Sequence, residues 1–174
     1  LPYTLEQVFT TEGTWVGVNT STTNKLVKEA FEKKVIPHWG KFDTLAAEVK
    51  INAESRLDFC LSDSNEPKSK KHFVEVKNVS MARPPVAVFP DAVTARGQKH
   101  LRELMKLVDE GHTAEIFFVV QREDCQSFSP ATDIDAEYSK LLTQASNHGV
   151  KVSCWACTVT EKELAIVRPL QIKI

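Results

Sequence analysis

Ser55-Arg56-Leu57-Asp58-Phe59-Cys60-Leu61 and, further on, Phe73-Val74-Glu75-Val76-Lys77 are the two runs on which the fold of this chain turns. Side chains along a strand alternate between its faces, so Leu57, Phe59 and Leu61 fall on one side and Arg56, Asp58 and Cys60 on the other. In the second run Val74 and Val76 share a face, and Phe73, Glu75 and Lys77 share the opposite one. The segment between them, from Ser62 to Lys71, is polar and holds turn formers, which predicts an antiparallel hairpin. A turn centred on Glu66-Pro67 sets Asp58 directly opposite Glu75. Like charges facing each other across a sheet repel, and a hard cation with oxygen ligands turns that repulsion into attraction. Lys77 lies on the same face as Glu75, roughly 6.7 Å along the strand, near such a cation without displacing it. Two carboxylates to hold Mg2+ or Mn2+, and a lysine to orient a water and stabilise a charged phosphate, are the side chains of metal-assisted phosphodiester cleavage. Glu-x-Lys alone is also a common solvated pair on exposed strands; the acid in the partner strand, on the matching face, distinguishes this one.

Outward from the hairpin, 174 residues with 42% hydrophobic content supply one good core, and one domain is the expectation. The net charge is −1, whereas proteins that coat nucleic acid non-specifically are strongly basic. Contact with nucleic acid must therefore be local. The candidates are the loop residues Lys68, Lys70 and Lys71, Arg83, and the series Arg96, Lys99 and Arg102, with the loop lysines reading first as solvated surface. Cys154-Trp155-Ala156-Cys157 has the C-x-x-C form but no second pair at zinc-site spacing, and in a strand its two thiols point to opposite faces. Buried, reduced thiols are expected for these and for Cys60 and Cys125. The longest apolar run, Ile116 to Val120, is too short to span a membrane and no signal peptide is visible, so a cytoplasmic protein is expected.

The remaining elements alternate. Thr4 to Thr10 and Thr14 to Asn19 read as strands around Glu12-Gly13. Thr22 or Thr23 caps a helix over Asn24 to Lys34, with Leu26, Val27, Ala30 and Phe31 inward. Ala47 to Ile51 reads as a strand, and Met81 to Pro90 as irregular. A helix over Thr94 to Asp109 buries Leu101, Leu104, Met105 and Val108, and Gly111 stops it. Ala114 to Val120 suits a strand buried on both faces. A helix over Ala136 to Asn147 and strands over Lys151 to Thr158 and Glu163 to Val167 complete the α/β order.

A mixed central sheet flanked by helices, with the acidic hairpin in it, resembles the restriction-endonuclease-like core of the PD-(D/E)XK nuclease superfamily. The sequence around the motifs is more specific. Val18-Asn19-Thr20-Ser21, Asn24-Lys25-Leu26, Glu48-Val49-Lys50, Ser55 to Phe59, Glu75-Val76-Lys77-Asn78-Val79 and Ile134 to Tyr138 resemble the sugar fermentation stimulation protein A (SfsA) family. So, above all, does the stretch from Phe89 to Leu104. The resemblance runs from about Tyr3 to the C-terminus.

That resemblance implies a DNA-binding protein with a nuclease-like domain over residues 21–174, linked by the family name to sugar (maltose) metabolism. Residues 1–20 resemble the tail of the OB-like region that family members carry ahead of it. Carried over, the pattern makes Asp58 and Glu75 metal ligands for Mg2+ or Mn2+, with the Val76 carbonyl as a third oxygen. Lys77 positions the attacking water, and Gln98 corresponds to the helix glutamine of related nucleases. Glu29 and Glu48 are candidates for a further carboxylate ligand. Arg96 and His100, one helical turn apart, join Lys99 and Arg56 as contacts to DNA or RNA phosphate. His38, His72, His112 and His148 read as loop or surface residues. The expected function is a divalent-metal-dependent nuclease. The alternative, from a different class, is a non-catalytic DNA-binding regulator of sugar-metabolism genes.

Overall fold

The apolar run ending at Val120 becomes an inner strand of a six-stranded sheet, and the rest of the chain is arranged around it. The computed structural model describes residues 3–66 and 70–174. Within them the strands are β1 (Gln7–Phe9), β2 (Trp15–Gly17), β3 (Thr44–Lys50), β4 (Arg56–Ser62), β5 (His72–Val79), β6 (Ala82–Arg83), β7 (Val86–Phe89), β8 (Thr113–Val120), β9 (Ser127–Pro130), β10 (Lys151–Val159), β11 (Leu164–Pro169) and β12 (Gln171–Ile172). The helices are α1 (Thr23–Glu32), α2 (Ala95–Asp109) and α3 (Ala136–Asn147). The large sheet runs β11-β10-β8-β5-β4-β3, with β5, β8 and β10 parallel and β3, β4 and β11 antiparallel to their neighbours. A mixed α/β architecture is thus the fold.

Layering follows from side-chain parity. On one face of β8, Phe117 and Val119 pack with Leu26, Val27 and Ala30 of α1. On the other, Ile116, Phe118 and Val120 pack with Leu101, Leu104, Leu141 and Leu142 of α2 and α3. Each such fully buried large side chain contributes roughly 1.5–3 kcal/mol relative to exposure. Capping ties the second layer together. Asp135 caps α3 by accepting the Tyr138 N–H (2.9 Å) and also accepts the Thr94 N–H (2.9 Å) at the start of α2. The thiols of Cys154 and Cys157 fall in opposite layers, and all four cysteines are free and buried.

Several expectations need correcting. Met81 to Pro90 is not irregular throughout: β7 lies within it and pairs in parallel with β9, in a second sheet of order β12-β9-β7-β6. Two prolines mask the strand signal, and its partner is remote in sequence. Leu57 does not share the layer of Phe59 and Leu61; it packs with the α2–α3 cluster. The β3–β4 ladder pairs Ala47 with Phe59 and Val49 with Leu57 but breaks between them, where Glu48 takes a left-handed φ of 52°. That conformation costs a non-glycine residue roughly 1–2 kcal/mol and turns Val49 and Leu57 to the α2 side.

His38 and His72 are not loop-surface residues either. His72 is buried on β5, and both rings bond the fully buried Glu115 of β8, His72 Nε2 at 2.8 Å and His38 Nε2 at 3.0 Å. The Trp39 indole N–H adds a third contact to that carboxylate at 2.9 Å. His148 is a surface residue as expected, bonding Asp109 at 2.7 Å. Leu1, Lys68 and the Pro67 side of the expected turn lie outside the described residues.

Candidate active site

The β4–β5 ladder pairs Phe59 with Val74, Cys60 with Phe73 and Leu61 with His72. Continued by one residue, that register sets Asp58 across from Glu75, as a turn centred on Glu66-Pro67 requires. Both carboxylates line one cleft of about 520 Å³ between the β3–β4 turn and α2. Glu48 stands at its mouth, exposed, in its left-handed conformation.

The two acids sit in opposed environments. Glu75 is only 3% exposed, and its Oε1 accepts from Lys77 Nζ at 2.6 Å and from His100 Nδ1. Burial alone pushes its pKa up, but the His100 bond and the Lys77 charge outweigh burial and hold it below the ordinary value. Asp58 is half-buried, and its pKa is raised, first by burial and then by the Glu75 charge. Its Oδ2 accepts the Val76 backbone N–H at 2.8 Å and its Oδ1 accepts the side-chain amide of Asn24 at 2.8 Å. The cleft thus holds an acid hydrogen-bonded by cationic side chains and an acid hydrogen-bonded by neutral donors.

Around these acids the cleft also carries cations. Arg56, Arg96 and Lys99 line it, all exposed, and so does Lys50 of β3. Lys99 reaches Glu54 of the β3–β4 turn at 3.3 Å, and Asn52 of the same turn donates to Glu103 of α2 at 3.3 Å. These contacts join the two walls at one end.

Asp58, Glu75, Lys77, Glu48, His100, Arg56, Arg96 and Lys99 therefore converge, and two assigned residues do not. Gln98 gives its amide to Asp135 at 3.0 Å, held by the cap of α3, and does not line the cleft. Glu29 pairs with Lys33 along α1 and lines a different depression, beside Lys25 and Glu163. His100, assigned to phosphate, is 4% exposed and is spent on Glu75. Arg102 and Arg83 are engaged elsewhere, with Glu137 and Asp133. Asn24 and Lys50 were not singled out by the sequence. Only the motif stretches Asn24-Lys25-Leu26 and Glu48-Val49-Lys50 pointed near them.

The residues suit a hard cation. Mg2+ is ordinarily held through one or two carboxylates while keeping several waters, and Asp58 and Glu75, with Glu48 beside them, supply oxygen donors only. Among the described residues no group of three or more His, Cys, Asp and Glu is already assembled as a metal cage. A water-rich ion held by two acids fits this arrangement better than a zinc-type site.

Residues 21–163 match the family model described as the sugar fermentation stimulation protein RE domain. The chain belongs to the SfsA family. A sugar fermentation stimulation protein homolog of Bdellovibrio bacteriovorus is 51% identical over 95% of this chain and 71% of its own length. A homolog from Geotalea daltonii is 44% identical over 99% of this chain and 72% of its own length. Among solved structures, SfsA of Pyrococcus furiosus in complex with Ca2+ superposes with a TM-score of 0.89 at 26% identity, covering 99% of this chain and 72% of that one. The family resemblance read from the Phe89 to Leu104 stretch is thereby established. Among the described residues no helix is long and apolar enough to cross a membrane.

Proposed function

We propose that this chain is a divalent-metal-dependent nuclease of PD-(D/E)XK type that acts on DNA. The observation that carries the reading is Asp58 and Glu75 lining one cleft, with the Lys77 ammonium 2.6 Å from Glu75. The Ca2+ in the Pyrococcus furiosus SfsA structure supports a divalent cation here. Asp58 and Glu75 would hold Mg2+ or Mn2+, with Glu48 as a further carboxylate at the mouth of the cleft. The ion supplies charge neutralisation at the phosphate and lowers the pKa of a bound water. Lys77 is the group that orients the nucleophilic water and donates to the developing charge on phosphorus-bound oxygen. His100, 3.4 Å from the Lys77 ammonium, holds Glu75 in place from the α2 side. Arg56, Arg96, Lys99 and Lys50 seat the flanking phosphates, which positions the scissile bond without reading sequence.

The test is cleavage of plasmid and of single-stranded DNA under titration with Mg2+ and Mn2+. Cleavage by the native chain, and its loss in both Asp58→Asn and Lys77→Ala, is the expected result. Binding without metal-stimulated cleavage above those two variants would sink the enzyme reading in favour of the non-catalytic regulator.

A further inference from the structure

The hydrogen bonds that the protein gives Asp58 come from neutral donors. Asn24 Nδ2 donates to Oδ1 at 2.8 Å and Val76 N to Oδ2 at 2.8 Å, one neutral donor on each oxygen. Two such bonds fix the plane of the carboxylate. They leave a second lone pair on each oxygen for another acceptor contact. The backbone donor is available because the β4–β5 ladder ends at the Phe59–Val74 pair, before Val76. A lysine or arginine at residue 24 would pair with Asp58 and compete with any incoming cation. An amide orients the acid without cancelling it.

Asn24 is itself held. The residue before it, Thr23, is 3% exposed and donates to Asn78 Oδ1 at 3.3 Å. The fully buried Gln121 of the β8 end gives its amide to both Thr23 Oγ1, at 3.0 Å, and Asn78 Oδ1, at 2.6 Å. Asn78 follows Lys77 on β5. This polar network pins the first turn of α1 to the end of β5, on the strand that carries Glu75 and Lys77. The amide of Asn24 therefore reaches Asp58 from a fixed base, across 34 residues of sequence.

From this geometry we infer that Asn24 is a positioning residue that orients Asp58 for a divalent cation. The inference rests on the metal reading given above. Residues that hydrogen-bond a ligating group matter for the metal it holds, and their loss typically costs 10–100-fold in affinity.

Mn2+ binding to the metal-free chain, measured by calorimetry or electron paramagnetic resonance without nucleic acid, tests it together with the melting temperature. The native chain is expected to take up Mn2+, and Asn24→Ala to bind it about 10–100-fold more weakly at an unchanged melting temperature. Asn24→Leu, similar in size but without the donor, decides the matter should the alanine variant fold poorly. Equal affinity in native and variant chains overturns the inference and leaves the metal reading intact. Affinity and melting temperature falling together in both variants also overturns it, because the role is then structural. No Mn2+ uptake by the native chain removes the metal reading, and the inference with it.

Discussion

Glu115 has no solvent exposure and no role in the cleft, yet three side chains donate to it from two segments of the chain. Burial raises its pKa, but the bonds from His38 and His72 more than offset that and hold it at about 2. The acid is therefore charged in the folded protein at any pH where an unfolded glutamate would be, and below. A carboxylate with a depressed folded pKa stabilises above its unfolded value, near 4.5, and loses that contribution as pH falls toward 2. The protein should thus lose urea stability between about pH 4.5 and 2, by an amount on the order of 3 kcal/mol from this group. In Glu115→Gln that part of the pH profile should flatten, and the variant should be less stable at pH 7. An unchanged slope in the variant would mean that other carboxylates carry the acid lability. His72→Leu takes one donor from a buried charge and should cost about 3–5 kcal/mol at neutral pH, read by the same denaturation.

Among the elements, α2 and α3 depend on one side chain. Asp135 accepts from Tyr138 N, Thr94 N and the Gln98 amide, so it caps one helix and anchors the start of the other. Asp135→Ala should cost about 2 kcal/mol, the upper end for a lost cap, visible as a lower melting temperature. Because α2 also carries His100 against Glu75, Mn2+ uptake should weaken in the same variant. Elements of this kind were partly legible in advance. The stripe of Leu101 and Leu104 gives α2, and the alternation at 57–61 and 73–77 gives the hairpin, because both are local periodicities. Its register follows from the turn centre, which is why Asp58 and Glu75 could be paired on paper. The bonds from His100 and Asn24 were hidden, because they span 25 and 34 residues and depend on how helices pack on the sheet. The reversed facing of Leu57 was hidden for another reason: Glu48 is not a residue type that advertises a left-handed φ. Gln98 was misassigned because its place at the start of an inward stripe says nothing about the acid waiting on α3.

At the scale of the whole molecule, the proposed nuclease function makes charge the term that would hold nucleic acid. With a net charge of −1 the surface as a whole offers no attraction to a polyanion. Local attraction is available at the cleft, where Lys50, Arg56, Arg96 and Lys99 line the walls with Asp58 and Glu75. Affinity should then respond to salt as a count of those residues and not of the whole surface. Four phosphate contacts give a slope of log affinity against log salt of about −3 on single strands and −4 on duplex. Arg96→Ala and Arg56→Ala should each reduce that slope by about 1 while weakening all sequences alike, since phosphate contacts carry no base information. Lys99 should contribute less than either arginine, because Glu54 at 3.3 Å must first be displaced from it. Glu54→Gln should accordingly strengthen binding and steepen the salt response. Binding measured by fluorescence anisotropy across a salt series, in Ca2+ to support assembly without assuming turnover, supplies each slope. A slope near zero, or one unchanged in the arginine variants, would place the nucleic-acid contact outside this cleft.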